Sequence, residues 1–162
     1  MKYAYLVVEG YHDVAFIGKL LSDMRIPIVT KMSSLDPYWT RMIPDKFPPQ
    51  DDLLKRIDMP VFFQNETHSV AIHSSGGDFR KIAGKLEATL FNYDTLVEKA
   101  VGIAIFLDAD YGVNGAIGRF SDLLGILNTE LRWPNAPGGV LKDKPNTGIF
   151  IFPDNESDGT VE

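Results

Sequence analysis

The feature that most constrains the fold of this chain is a regular alternation between short apolar runs and helical patterns. The runs lie at residues 3–8, 69–73, 101–107 and 148–152, and each has the length and composition of a buried β-strand. Apolar residues at helical spacing follow each of the first three runs. Because such connections are right-handed crossovers between parallel strands, we predict an α/β fold. It has a mostly parallel, Rossmann-like sheet of about four strands, with helices on both faces.

The last helical pattern predicts which face of its helix meets the sheet. Its apolar residues alternate at three- and four-residue spacing, as the buried stripe of an amphipathic helix does. The predicted stripe consists of Val113, Ile117, Phe120, Leu124, Leu127 and Leu131.

The chain of 162 residues is long enough for one domain, and we predict a single domain over residues 1–162. Residues 159–162 are typical of the start of a helix, which predicts that the fold is truncated at Glu162 or continues in a longer protein. Residues 31–66 interrupt the alternation and hold half of the chain's ten prolines, with aromatic residues among them. We interpret this segment as an insertion. The alternative is a proline-stiffened flap that covers part of the core.

Charge and composition exclude several classes of protein. The net charge of −6 argues against a protein that coats nucleic acid by bulk electrostatics, but not against an enzyme whose acidic site holds a divalent metal. We expect no membrane partner, because no apolar run approaches the roughly 18 residues that span a bilayer. The absence of cysteine is typical of a reducing compartment and predicts a cytoplasmic protein.

Acidic residues follow three of the predicted strands. Glu9 comes after the first run, Asp108 and Asp110 after the third, and Asp154 after the fourth. Parallel strands bring their carboxyl ends to one edge of a sheet, where ligands bind. Carboxylates that lie close together repel unless a proton or a cation separates them, and oxygen ligands without histidine or cysteine favour Mg²⁺ or Mn²⁺. The pattern predicts a site for one or two such ions. Each aspartate alone is also typical of a turn or a helix N-cap, and this alternative stays open.

Four motifs in the sequence resemble those of Toprim domains. They are Val-Val-Glu-Gly-Tyr-His-Asp at residues 7–13, His-Ser-Ser-Gly-Gly at 73–77, Phe-Leu-Asp-Ala-Asp at 106–110, and Phe-Pro-Asp-Asn at 152–155 with Gly-Thr-Val-Glu at 159–162. They stand in the order of the family and cover most of the chain outside residues 31–66. The chain is most similar to the small uncharacterised Toprim-like proteins and to the Toprim half of OLD-type (overcoming lysogenization defect) nucleases.

The resemblance implies a role for each matching acid. Glu9 matches the general acid/base or metal-bridging glutamate of the family, and Asp108 and Asp110 match its metal ligands. Asp13 matches a second acid that helps to hold a second metal, and a helix-capping role is its alternative. Asp154 matches a further acid of the metal site.

The glycine motif and the helix after it predict phosphate contacts. Gly76 and Gly77 precede a helix, where backbone N–H groups and the helix dipole attract anions. Gly10 lets a substrate approach the backbone, and Arg80 and Lys81 extend the contacts. The alternatives are an ordinary strand-to-helix turn and the solvated face of an amphipathic helix.

Together these features predict a Mg²⁺-dependent phosphodiester hydrolase, a nuclease of Toprim type that acts on DNA or RNA. The alternative is a catalytically degenerate Toprim-like binding or regulatory module, partnered with an ATPase. A phosphoacceptor receiver domain also clusters acids around Mg²⁺ but requires paired acids after the first strand and a late lysine, and neither is evident. An oligomer is compatible with each of these functions.

Overall fold

The computed structural model describes residues 1–44, 49–54, 58–110 and 115–157. In chain order its strands and helices are β1 (Lys2–Val8), α1 (Tyr11–Asp23), β2 (Val61–Gln64), β3 (His68–Ser74), α2 (Arg80–Asn92), α3 (Asp94–Lys99), β4 (Ala100–Asp108), α4 (Gly115–Ile126), β5 (Val140–Leu141) and β6 (Asn146–Phe152). Short 3-10 helices span Met32–Ser34, Pro37–Met42 and Pro49–Asp51. Among the residues described, none of the helices is both long and apolar enough to cross a membrane.

The strands form one mixed sheet in the order β2-β3-β1-β4-β6-β5. The four central strands run parallel, whereas β2 pairs antiparallel with β3 and β5 antiparallel with β6. The predicted α/β class is confirmed, but the sheet has six strands rather than about four. The two strands that the sequence did not reveal are edge strands of four and two residues, whose patterns are too short to stand out.

Helices pack on both faces of the sheet and create two cores. On one face, α2, α3 and α4 bury Leu86, Leu96 and Leu123 in the larger core. On the other face, α1 buries Val14 and Ile17 in a smaller one. The crossover connections expected for parallel strands account for this layering.

The described part of residues 31–66 belongs to the larger core and to the sheet. Trp39 is fully buried, and its Nε1 donates a hydrogen bond of 2.7 Å to Oγ of the buried Ser69. β2 adds Phe62 to the same core. The structure therefore gives no support to a separate insertion, and it fits the alternative of a segment that covers the core.

Helix α4 presents a different face to the sheet than the predicted stripe. Its buried residues are Ala116, Phe120 and Leu123, whereas the side chains of Ile117 and Leu124 are 70% and 36% exposed. The predicted stripe was therefore wrong at these two positions, because two overlapping sets of apolar residues at helical spacing share Phe120. Leu127 and Leu131 pack at the margin of the larger core, and Val113 lies outside the described residues.

Candidate functional site

The carboxyl ends of the parallel strands meet at one edge of the sheet. Val8, the last residue of β1, is paired with Ser74 of β3 on one side and with Phe106 of β4 on the other. β1 therefore lies between β3 and β4. This order brings Glu9, which follows Val8, next to Asp108, which lies two residues beyond Phe106.

A turn after β3 fixes the backbone of Glu9. The carbonyl oxygen of Glu9 accepts hydrogen bonds from the Gly77 amide at 2.8 Å, Ser75 Oγ at 3.0 Å and Ser74 Oγ at 3.4 Å. The Gly76 amide donates to Ser74 Oγ at 3.1 Å, and both glycines have φ above 80°, a conformation that favours glycine. Both glycine amides thus have acceptors within the chain. In this structure the glycine motif positions Glu9.

Arg119 of α4 joins the acidic residues at this edge. Its Nη2 lies 3.2 and 3.1 Å from the two carboxylate oxygens of Glu9 and 2.7 Å from Oδ2 of Asp110. Its Nε donates to the carbonyl oxygen of Asp108 at 3.1 Å, and the guanidinium lies 4.3 Å from the centre of the Phe79 ring. The side chains of Arg119 and Glu9 are only 18% and 15% exposed. One shielded guanidinium therefore joins the carboxylates of Glu9 and Asp110 to the backbone of Asp108.

Burial and neighbouring charges oppose each other at Glu9. Burial raises the pKa of its carboxyl, and the negative charges of Asp110 and Asp108 raise it further. The charge of Arg119 lowers this pKa, as does a hydrogen bond with the Asp108 backbone. The net pKa is raised, so Glu9 binds a proton more readily than an exposed glutamate does.

Asp13 lies in the first turn of α1, near enough to Asp108 for their charges to interact. Its side chain is buried, and Oδ2 accepts a hydrogen bond of 2.7 Å from the Gly10 amide. Burial raises the pKa of Asp13, and the charge of Asp108 adds to this rise, whereas the bond to Gly10 lowers it. Asp13 therefore caps the start of α1, and the negative charge of Asp108 affects its pKa. Gly10 contributes its amide to that cap.

Three other predicted site residues contact neighbouring residues rather than the acidic cluster. Asp154 accepts hydrogen bonds from the amides of Glu156 and Ser157 and from Ser157 Oγ, which hold the pKa of its carboxyl below the usual range. The first residues of α2, Arg80 and Lys81, are 88% and 67% exposed. Each lies about 4 Å from the carboxylate of the nearby Asp78. Residues 159–162, with the predicted motif and Glu162, lie outside the described part of the chain.

Comparison with known proteins identifies the family. Residues 3–162 match the family described as protein of unknown function (DUF3226). The chain belongs to this family. No curated protein matches the sequence of this DUF3226 chain.

A solved structure resembles the DUF3226 chain in fold. It is the crystal structure of a hypothetical protein from Pyrococcus horikoshii OT3, with a TM-score of 0.50 and 16% sequence identity. The similarity covers 91% of the DUF3226 chain and 55% of that protein, so the chain spans about half the length of the structure it matches. At this identity the likeness shows the fold alone.

The acidic cluster of the DUF3226 chain fits a divalent metal in the chemistry of its donors. Glu9, Asp108 and Asp110 offer the oxygen ligands that Mg²⁺ and Mn²⁺ prefer. Within residues 1–44, 49–54, 58–110 and 115–157, no three acidic or histidine side chains are arranged to hold a metal ion as they stand. Arg119 supplies the positive charge at this place. Binding of a metal by these acids therefore requires the guanidinium to move or to share them.

The sequence prediction missed Arg119, although a signal for it exists. Arg119 lies three residues after the buried Ala116 and four residues before the buried Leu123. Such spacing places it on the flank of the face that meets the sheet. If Ile117 and Leu124 faced the sheet, as predicted, Arg119 would point away from the sheet. The predicted stripe therefore did not indicate Arg119 as a site residue.

Proposed function

We propose that this DUF3226 protein is a Mg²⁺-dependent phosphodiester hydrolase of Toprim type that acts on nucleic acid. The proposal is supported chiefly by the contact of one guanidinium with the carboxylates of Glu9 and Asp110 and with the Asp108 backbone at the carboxyl edge of the sheet, where the charge of Asp108 also acts on Glu9. Ligands bind at this edge in open α/β sheets. Acids that repel one another at such a place favour a cation between them, and a metal ion would compete with Arg119 for this position.

Each residue of the cluster has a distinct task in this proposal. Asp108 and Asp110 would hold Mg²⁺ or Mn²⁺, which would supply Lewis-acid activation of the phosphodiester and of the attacking water. Glu9, held in place through its carbonyl oxygen, takes up or donates the proton at its carboxylate. Arg119 binds the negatively charged phosphate once a metal ion has replaced it at the acids. Asp13 holds the start of α1 through its bond to the Gly10 amide.

The test is cleavage of single- and double-stranded DNA and RNA with Mg²⁺ or Mn²⁺. Glu9→Gln keeps the size of the side chain and removes its proton-transfer capacity, so activity should fall on the order of 10²-fold or more. The matched control is Glu98→Gln, which removes an exposed carboxylate on α3. Equal cleavage by wild type and Glu9→Gln contradicts the role of Glu9 and points to a contaminating nuclease.

A second candidate function is a catalytically degenerate Toprim-like binding or regulatory module that works with an ATPase partner. The contact of Arg119 with Glu9 and Asp110 favours it, because an internal guanidinium supplies the positive charge that a metal supplies in an enzyme. This function predicts nucleic-acid binding without cleavage in the same assay. Stable binding in EDTA and no cleavage at micromolar protein would select it over the hydrolase.

A further inference from the structure

A second cluster of charged residues lies beside the acidic site but takes no part in it. Both carboxylate oxygens of Asp58 lie 2.6 Å from Nζ of Lys85 in α2, and Oδ1 lies 3.4 Å from Nε2 of His73 in β3. The side chains of Lys85 and His73 are 19% and 13% exposed, whereas that of Asp58 is 69% exposed. The carboxylate therefore covers two sheltered nitrogen groups from the solvent side.

Hydrogen bonds behind His73 determine which of its nitrogens carries a proton. Thr89 Oγ1 donates to the Lys85 carbonyl oxygen, so at 3.0 Å it accepts from the hydroxyl of the fully buried Tyr5. The Tyr5 oxygen then accepts from Nδ1 of His73 at 2.9 Å. Nε2 is left without a proton and accepts from Lys85 Nζ at 3.3 Å. His73 thus orients the ammonium of Lys85, which is the charged donor of the cluster.

The ammonium of Lys85 faces an open groove of about 720 Å³. The groove is lined by Tyr11, Ser75, Gly76, Arg80, Lys81 and Lys85, among other residues. A Cβ added at Gly76 would meet no atom within 4 Å, so the floor is open there. The groove reaches the acidic site at Ser75, whose Oγ donates to the carbonyl oxygen of Glu9. A chain with a net charge of −6 therefore places three cationic side chains beside its proposed active site.

We propose that Lys85 binds a phosphate group of nucleic acid in this groove, and that Asp58 occupies the phosphate position until the ligand displaces it. A carboxylate and a phosphate are both anions that accept hydrogen bonds through more than one oxygen. The ammonium of Lys85 can therefore donate to either of them. Arg80 and Lys81 bind the neighbouring phosphates along the strand. The inference rests on the proposed function in one respect, that the ligand is nucleic acid. It requires no cleavage.

Binding in EDTA tests this inference apart from catalysis. The probes are inorganic phosphate by isothermal titration and a fluorescein-labelled single-stranded DNA 12-mer by anisotropy. Asp58→Asn removes the competing charge and keeps the shape, so both probes should bind about tenfold more tightly than to the wild type. Lys85→Gln should weaken binding by a similar factor. The same 12-mer is also compared with and without a 5′-phosphate. If the groove binds a terminal phosphate, the phosphorylated form binds more tightly; if it binds an internal phosphodiester, the two forms bind equally.

The exposed ion pair between Lys19 and Asp23 supplies matched controls, because its residues lie one turn apart on α1 and outside the groove. Asp23→Asn and Lys19→Gln make the same changes of net charge and should alter affinity less than about twofold. In the Asp58→Asn/Lys85→Gln double variant, the gain from Asp58→Asn should vanish. The proposal is overturned by no gain, by an equal gain from Asp23→Asn, or by a gain that persists without Lys85. If no cleavage is detected but this binding pattern holds, the phosphate-binding role of Lys85 is supported and only the hydrolase function is contradicted.

Discussion

Arg119 and Glu9 lie 110 positions apart in the sequence, yet Nη2 of the arginine is 3.1 Å from Oε2 of the glutamate. The pair links the end of β1 to α4 and is largely shielded from solvent. Charged hydrogen bonds of this kind are stronger than neutral ones, and loss of one partner leaves the other without compensation. This contact stabilises the edge of the sheet. A cation that binds there must compete with Arg119 for the carboxylates.

Replacement of Arg119 should make stability depend on metal. For Arg119→Met we expect the free energy of unfolding in EDTA to fall by about 2 kcal/mol, because the acids lose a charged hydrogen-bond partner. Mg²⁺ should raise the melting temperature of the variant more than that of the wild type, since the guanidinium no longer competes. Thermal unfolding with and without Mg²⁺ measures both effects.

Arg132→Met is the matched control for this experiment. Arg132 also pairs with an aspartate, Asp143 at 2.8 Å, but its side chain is 72% exposed. Its loss should leave the stability and the response to Mg²⁺ nearly unchanged, because exposed ion pairs contribute little. An Arg119→Met protein with the wild-type response to Mg²⁺ would show that the ion binds elsewhere or not at all.

Metal binding should depend on the two aspartates after β4. Isothermal titration should detect Mg²⁺ or Mn²⁺ binding to the wild type and none to an Asp108→Asn/Asp110→Asn double variant, because neutral amides are poor ligands for these ions. The apo variant should be as stable as the wild type, since relief of repulsion from Glu9 offsets the lost contact with Arg119.

Asp154→Asn is the comparison that decides which acids belong to the site. The carboxylate of Asp154 accepts bonds from its own turn. Its replacement should therefore leave metal affinity unchanged. Equal losses of affinity in Asp154→Asn and in the double variant would restore Asp154 to the metal site and would require the turn to open.

The segment that precedes β2 should be essential for folding. Trp39→Phe removes a fully buried indole and leaves Oγ of Ser69 without its donor, so we expect the free energy of unfolding to fall by about 2–3 kcal/mol. Trp133→Phe, at a partly buried indole that bonds to Thr129, should cost less than about 1 kcal/mol. Urea unfolding compares the two. Equal small losses would mean that the segment is a separate insertion rather than part of the core.

The sequence predicted the centre of the fold because the central strands carry uninterrupted apolar runs. β1, β3, β4 and β6 lie where those runs lie, and the parallel order explains why Glu9 and Asp108 meet. β2 was not predicted because its four residues are too few to show a pattern and follow Pro60 in the proline-rich segment. Short edge strands owe their pairing to the neighbouring strand rather than to their own pattern.

The ion pairs of the candidate site follow from packing rather than from local pattern. Arg119 reaches Glu9 only because α4 is rotated to bury Ala116 and Leu123. Lys85 meets Asp58 across 27 positions in the chain, and no periodicity connects them. Such contacts depend on how a helix docks against the sheet, which hydrophobic spacing alone leaves open between neighbouring faces.

His73 should make the stability of the protein fall on the acid side of neutrality. Burial, and then the positive charge of Lys85, lowers the pKa of His73 to about 4, although Asp58 opposes this shift. The groups that face its ring are Tyr5 from β1, Lys85 from α2 and Asp58 ahead of β2. In the unfolded chain the imidazole has a pKa of about 6.5. Between these two values the unfolded state binds more protons than the folded state.

The contribution of neutral His73 to stability is therefore fully present above pH 6.5 and is lost as the pH falls toward 4, by about 3 kcal/mol in total. Urea unfolding at a series of pH values measures this slope. His73→Gln offers Tyr5 and Lys85 hydrogen-bonding groups without a titrating proton, so its curve should be flatter between pH 6.5 and 4 whatever its absolute stability. Parallel curves for the two proteins would contradict a neutral, buried His73, and would also remove the argument that Lys85 rather than His73 is the charged donor to Asp58.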